Sequence, residues 1–352
     1  MVATDIQINP KMVVLARESR GISQKELAER LGTSPGFICK IETDNKSLPE
    51  ATLKKMCKHL NYPLEFFYQD GEPFLPMSLS YRKRDHVSAK VLIPLEAHLN
   101  IYRLNIETLS QKCKLPEPNV PVLDVKKIGS ESQVAKQLRR FWKMEKGPVE
   151  NLTELLEANG IIVISFDFGT ERVDSRTILT KDRHPIIVVN KSNLADKQRF
   201  SLAYELGHLV MHTETQPSYD RDIEHEANMF AAGFLLPEDE IKKDFDKGIS
   251  IALLGELKRK WKTSMIALLY RAADLGFLNP NQKKYMLSQF NQLKIRRREP
   301  IDLDFQKEKP QLLRDLILTY RNAHKFTLKE LAASLHLKLE EFMNKYSESN
   351  GN

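Results

Sequence analysis

Residues 204–208 read Tyr-Glu-Leu-Gly-His, and His212 follows four residues later. Side chains spaced i, i+4, i+8 share one helix face, so positions 204, 208 and 212 line up with Glu205 beside them. Two histidines four apart on a helix can hold zinc, and a glutamate between them can activate a metal-bound water. Glu205 and His208 have the types and spacing for that chemistry, but the first ligand position carries Tyr204. A phenol titrates near pH ~10, so Tyr204 would need the metal itself to ionise it. A plain core helix does not account for this face, because a buried Glu and His are costly without a polar role. Leu202, Leu206 and Leu209 are expected to lean into the core.

A second group of residues, near the start of the chain, could read nucleic acid. Ser23 with Glu26 three residues on forms a capping box, and Leu27, Ala28 and Leu31 supply a buried face. Gly32 permits a tight turn, and Thr33 and Ser34 lead into a second helix that turns Ile38 and Ile41 inward. Its outward face offers Gly36, Phe37 and Lys40. The formal net charge of +7, from 54 Lys and Arg against 47 Asp and Glu, suits a nucleic-acid partner. Three scattered cysteines fit a reducing cytoplasm better than a disulfide framework. No 18-residue apolar run and no signal peptide are evident, so a cytoplasmic chain without membrane contact is expected.

The elements that must position these residues follow from periodicity. Residues 1–70 read as a helical block, and 71–128 as a helical segment near 90–112 followed by a linker marked by Pro116, Pro118 and Pro121. Residues 129–300 combine helices with two short β-branched strands at Ile161–Phe166 and Ile186–Val189. One helix is expected to bury Val134, Leu138, Phe141 and Trp142 together. Another should stop at Asn159-Gly160. Residues 301–352 look helical, and Thr327–Leu335 echoes Ser23–Leu31. His336 stands there at the turn glycine's place and no basic face follows, so packing or dimerisation is the expected role. The basic triplet Arg296–Arg298 is read as a solvated surface. The predicted fold class is mainly α with a small mixed β-sheet, α+β.

The N-terminal pattern, R-G-x-S-Q-x-E-L-A-x-x-L-G-x-S followed by I-x-x-I-E, resembles the XRE family of helix-turn-helix regulators over about residues 10–68. That resemblance implies Gln24 on backbone phosphate and Gly36, Phe37 and Lys40 toward base edges. It also puts Asn45 and Lys46 on phosphate, with Thr33 and Ser34 completing the DNA-facing set. Lys40 could donate to guanine and Phe37 pack on a thymine methyl. Double-stranded DNA and a homodimer are the partners implied.

The central segments resemble the ImmA/IrrE metallopeptidase family. They are Asp182–Asn190, Arg199–His212 with its R-F-S-L-A-Y-E-L-G-H core, and Glu224–Pro237 with E-H-E-A-N-M-F-A-A. The resemblance runs over about 80–300, to Glu299-Pro300, and implies a zincin-like domain. It also implies zinc on Tyr204, His208 and Glu226, with Glu224 the less favoured carboxylate, and Glu205 as general base. His212 would orient the site, and His225 would be structural or solvent-facing. With one ligand replaced, a tightly held zinc is doubtful, since the loss should exceed the ~10–100-fold typical of outer-sphere changes.

Three readings of Tyr204 are open. The domain has become a sensor or docking surface; or Tyr204 or His225 ligates and weak activity survives; or Tyr204 is an introduced inactivating change. The function expected is a DNA-binding regulator with a degenerate peptidase-like domain. The rivals are an active zinc peptidase acting on a repressor-type partner, and a toxin-like member of a two-gene module with an antitoxin-type partner.

Overall fold

The computed structural model describes residues 5–43, 47–74, 87–144, 146–213 and 221–346. The N-terminal unit comprises β1 (Asp5–Gln7), α1 (Pro10–Ser19), α2 (Gln24–Leu31), α3 (Pro35–Thr43), β2 (Ser47–Pro49) and α4 (Glu50–Leu60). The capping box forms: Ser23 Oγ accepts from the Glu26 N–H, and the Glu26 carboxylate accepts from the Ser23 N–H at 2.7 Å. Gly32 closes α2 at φ +68°, a left-handed conformation that glycine takes without strain. The antiparallel pairing of β1 with β2 has no counterpart in the sequence pattern.

The long α5 (Ala89–Ser110) follows, and 111–124 carries no helix or strand, as its prolines require. Next come α6 (Val125–Ile128), α7 (Glu131–Phe141), α8 (Leu152–Ala158), β3 (Ile162–Phe166), β4 (Ser175–Leu179) and β5 (Pro185–Asn190). Gly160 ends the α8 turn at φ +77°. On α7 the expected face is only partly buried. Val134 and Leu138 are fully enclosed, whereas Phe141 is 50% exposed because the helix ends at the domain edge. Trp142 lies just past the helix, with its indole edge-on to Phe234 and its N–H donating to the Asn119 carbonyl.

The sheet order is β3-β5-β4, with β3 parallel and β4 antiparallel to β5. Successive strand side chains point to opposite faces. Ile186 and Val188 join one core, while Ile187 and Val189 join the other. A strand buried on both faces reads as a continuous apolar run, which is why β5 was visible in the sequence.

The helical half contains α9 (Ala195–Met211), α10 (Ile223–Leu235), α11 (Glu238–Phe245), α12 (Ile251–Trp261), α13 (Met265–Asp274) and α14 (Pro280–Gln292). It packs on one sheet face together with α7. The chain closes with α15 (Leu312–His324), α16 (Leu328–Ser334) and α17 (Leu339–Tyr346). These share a core with the N-terminal unit, α5 and the opposite sheet face. Fold class is therefore α+β with a mixed three-stranded sheet.

Candidate functional site

On α3 the turn and caps leave Ser34, Gly36 and Lys40 exposed and Thr33 and Phe37 half-buried, while Ile38 and Ile41 face the core. Ser34 Oγ accepts from the Phe37 N–H at 3.2 Å, capping the helix. Gly36 and Lys40 are thus exposed, whereas Phe37, expected outward, packs partly against the core. Gln24, expected on phosphate, donates its side-chain amide to Glu42 at 2.7 Å, and Arg17 holds the same carboxylate. To reach phosphate, Gln24 must release that bond. Asn45 and Lys46 lie outside the described residues.

In the central domain, α9 lines up Tyr204, His208 and His212, with ring centroids 4.7 and 5.0 Å apart in turn. Leu202, Leu206 and Leu209 are buried beneath them. His212 Nε2 meets Glu226 Oε2 at 3.0 Å, and the Nδ1 atoms of His208 and His212 are 2.9 Å apart. If His212 donates to the carboxylate, its Nδ1 accepts from His208 Nδ1–H. That leaves the His208 Nε2 lone pair without a hydrogen-bond partner, 3.9 Å from Glu224 Oε1. Burial pushes His208 down to about 3, with His212 beside it adding to the effect. Burial also lowers His212 against the pull of Glu226. Both rings are neutral at neutral pH.

Both carboxylates of the second helix reach this face, at different levels. Tyr204 donates its hydroxyl to Glu224, whereas Glu226 is gripped by Arg221 and by His212. Burial alone would raise the Glu226 carboxyl, but those two hydrogen bonds outweigh it and hold it below the ordinary range. Arg221, just before α10, thus assigns Glu226 to the His212 level and leaves Glu224 to Tyr204 and His208. His225 is exposed on the cleft side, as expected.

Glu205 is fully buried and receives hydroxyl hydrogen bonds from Ser175 at 2.7 Å and Thr177 at 2.6 Å, both on β4. It borders a cleft of about 850 Å³ with Tyr204, His225, Phe200, Tyr270 and the Ser175–Arg176 edge of the sheet. His208 is not among the cleft's walls, because the half-buried Tyr204 ring stands over it. Sequence reasoning missed Ser175, Thr177 and Arg221. Arg199 is structural, buried against Glu308 and the Val149 carbonyl. Glu299 serves the same purpose, sharing Lys258 with Asp196.

The family resemblance implies zinc, and the donor set decides whether it fits. Three protein ligands and an open position are needed. One orphaned imidazole nitrogen and one carboxylate face each other here. The third position holds a phenol whose hydroxyl is already bound to that carboxylate. Among the described residues no three His, Cys, Asp or Glu side chains are gathered as a metal site. The residues present do not fit a catalytic zinc.

The architecture is thus a helix-turn-helix unit joined to a zincin-like helix pair over a small sheet. Residues 15–67 match the helix-turn-helix family model, and residues 156–273 match the peptidase M78 model, an IrrE N-terminal-like domain. No curated protein matches the chain. The chain carries an XRE-type helix-turn-helix, the module of a DNA-binding regulator, fused to an ImmA/IrrE-like domain. Among the described residues no helix is long and apolar enough to cross a membrane.

Proposed function

We propose that this chain is a DNA-binding transcriptional regulator whose ImmA/IrrE-like domain has lost peptidase chemistry and acts as a sensor or protein-docking module. The hydrogen bond from Tyr204 to Glu224 carries this reading. It fills the first ligand position with a group that engages the remaining carboxylate and covers His208. The cleft persists beside it and suits a segment of a repressor-type or antitoxin-type partner. On the N-terminal unit, the exposed Lys40 and the outer edge of the half-buried Phe37 are the groups this reading sends into a major groove. One short recognition helix reads few bases, so a homodimer on an inverted repeat, with half-sites ~34–36 Å apart, is the expected mode.

Elemental analysis tests the first half: the unmodified protein should hold well under one zinc per chain, and Tyr204→His should raise the content toward one. Footprinting on upstream DNA tests the second, and equal affinity for random duplexes would overturn it. A second reading, the active zinc peptidase, draws on the unfilled His208 Nε2 facing Glu224 and on Glu205 at the cleft. Tightly held, stoichiometric zinc in the unmodified protein would favour it.

A further inference from the structure

Between the sheet and the C-terminal helices lies a cavity of about 170 Å³. That is room for roughly five waters at ~30 Å³ each. Its walls include Phe166 and Asp167 at the end of β3, Lys191 just beyond β5, Arg314 on α15, and Asn344 and Lys345 on α17. Three of these side chains are cationic and one is anionic. The Asp167 carboxylate is turned to its own loop, accepting from the Gly169 N–H at 2.8 Å.

Arg314 and Lys345 carry little close counter-charge. Arg314 Nε is buried without a hydrogen-bond partner, and among the described residues Arg314 makes no ion pair. Its Nη1 has only a 3.4 Å contact to Gln311. The Lys345 side chain is 3% exposed, with Glu341 3.8 Å away and itself shared with Arg20 at 3.1 Å. The close partner of its amine is His98 Nδ1 at 2.9 Å, and burial keeps that ring neutral, so it accepts. Burial draws the Lys345 amine down to about 8 against the opposing pull of Glu341. Lys345 thus has one distant carboxylate and the ring faces of Tyr102 and Phe166, and Arg314 Nε has no partner, so this wall keeps positive charge that an anion completes.

We propose that this cavity binds a small oxyanion of phosphate size, either free phosphate or the phosphate of a small ester. The Arg314 guanidinium supplies a planar fork suited to phosphate, Lys345 a point charge, and Asn344 a polar edge. The site is bounded by α17, which braces the N-terminal unit through Glu341 on Arg20 and the adjoining Lys338 on Asn61.

Isothermal titration of the full chain with inorganic phosphate, at constant ionic strength against chloride, tests the site. Saturable binding of one phosphate per chain is expected. Arg314→Gln should weaken it about tenfold or more, the loss of a charge-assisted hydrogen bond, and Arg314→Lys should recover part of it. Arg297→Gln, on the cleft that Glu205 borders, should leave it unchanged. Phenyl phosphate run in parallel separates the sources: tighter binding marks an ester, weaker binding the free ion. Should Arg314→Gln fail to fold, Asn344→Asp, which adds negative charge to the wall, must weaken binding comparably. No saturable binding of either probe, or wild-type binding by the folded variants, overturns the proposal.

Discussion

The helix-turn-helix unit and the C-terminal helix pair that echoes it share local chemistry and differ in what their second helix faces. Ser23 and Glu26 cap α2 as Thr327 and Glu330 cap α16, both with complete capping boxes. Ile38 of α3 and Phe342 of α17 occupy the same inward position, and both are fully buried. On α3 the outer positions are Gly36, Phe37 and Lys40. Their counterparts on α17 are Glu340, Glu341 and Asn344, and Glu341 is bonded to Arg20, just past α1. Two carboxylates at the front of a reading helix would repel phosphate, and one of them is already committed to the partner unit. The same motif thus makes a surface at one end and a brace at the other.

The brace can be broken directly. Phe342→Ala should cost about 3–5 kcal/mol of stability, since it empties a fully buried aromatic site in the core that joins α17 to α5. Denaturant unfolding followed by circular dichroism measures it. A loss under ~1 kcal/mol would mean that the C-terminal unit is not part of that core.

The next contact ties the brace to the sheet side. Glu157 on α8 accepts from the Gln311 N–H, at the start of α15, at 2.9 Å. Burial outweighs this and the Leu312 N–H, raising its carboxyl to about 7. Between the unfolded value near 4.5 and about 7 the native state holds the extra proton. Stability therefore falls as pH rises through that window, and the loss is complete above it. Glu157→Gln, permanently neutral, should be more stable than wild type at pH 8 by up to about 3 kcal/mol and similar to it at pH 4. A variant-to-wild-type gap that is equal at both pH values would contradict the raised carboxyl.

The surface is tested by DNA affinity instead of stability. Lys40→Ala should lose about 1–3 kcal/mol of specific binding and relax base preference. Asn344→Ala, its counterpart on α17, should leave DNA binding unaltered. Fluorescence anisotropy on operator and scrambled duplexes distinguishes them, and equal losses for both variants would erase the distinction between the two units.

How much of this could be read beforehand follows the range of the forces involved. Caps, turns and the i, i+4, i+8 face of α9 are local, so Ser23, Gly32 and the Tyr204–His208–His212 line were legible. β3 and β5 were legible from their β-branched runs. β4 was not, because Ser175, Arg176 and Thr177 lack the apolar alternation of a strand, two of them serving Glu205. The levels at which Glu224 and Glu226 sit depended on contacts between the two helices, Tyr204 to Glu224 and His212 to Glu226, which no spacing within one helix encodes. The burial of α17 likewise depended on partners far along the chain, such as Asn105 donating to the Tyr346 hydroxyl at 2.8 Å.

The smallest effect concerns the turn between the paired helices. Gly32 and His336 are equivalent: each follows a leucine at the end of its first helix, Leu31 and Leu335, and takes positive φ, +68° and +54°. The next N–H bonds back to Ala28 in one case and to Ala332 in the other. A side chain at such an angle costs about 1–2 kcal/mol. A Cβ at Gly32 would meet nothing within 4 Å, so Gly32→Ala should lose about that amount from strain alone. At His336 the strain is already present, and burial of the ring leaves Nδ1 without a hydrogen-bond partner. His336→Gly relieves both, against the extra unfolded-state freedom of glycine, worth about 0.5–1 kcal/mol. The net gain should be under about 1 kcal/mol, read from denaturant midpoints at one pH. If His336→Gly instead destabilised by more than Gly32→Ala, the imidazole would be a packing element of the brace and not a strained substitute for glycine.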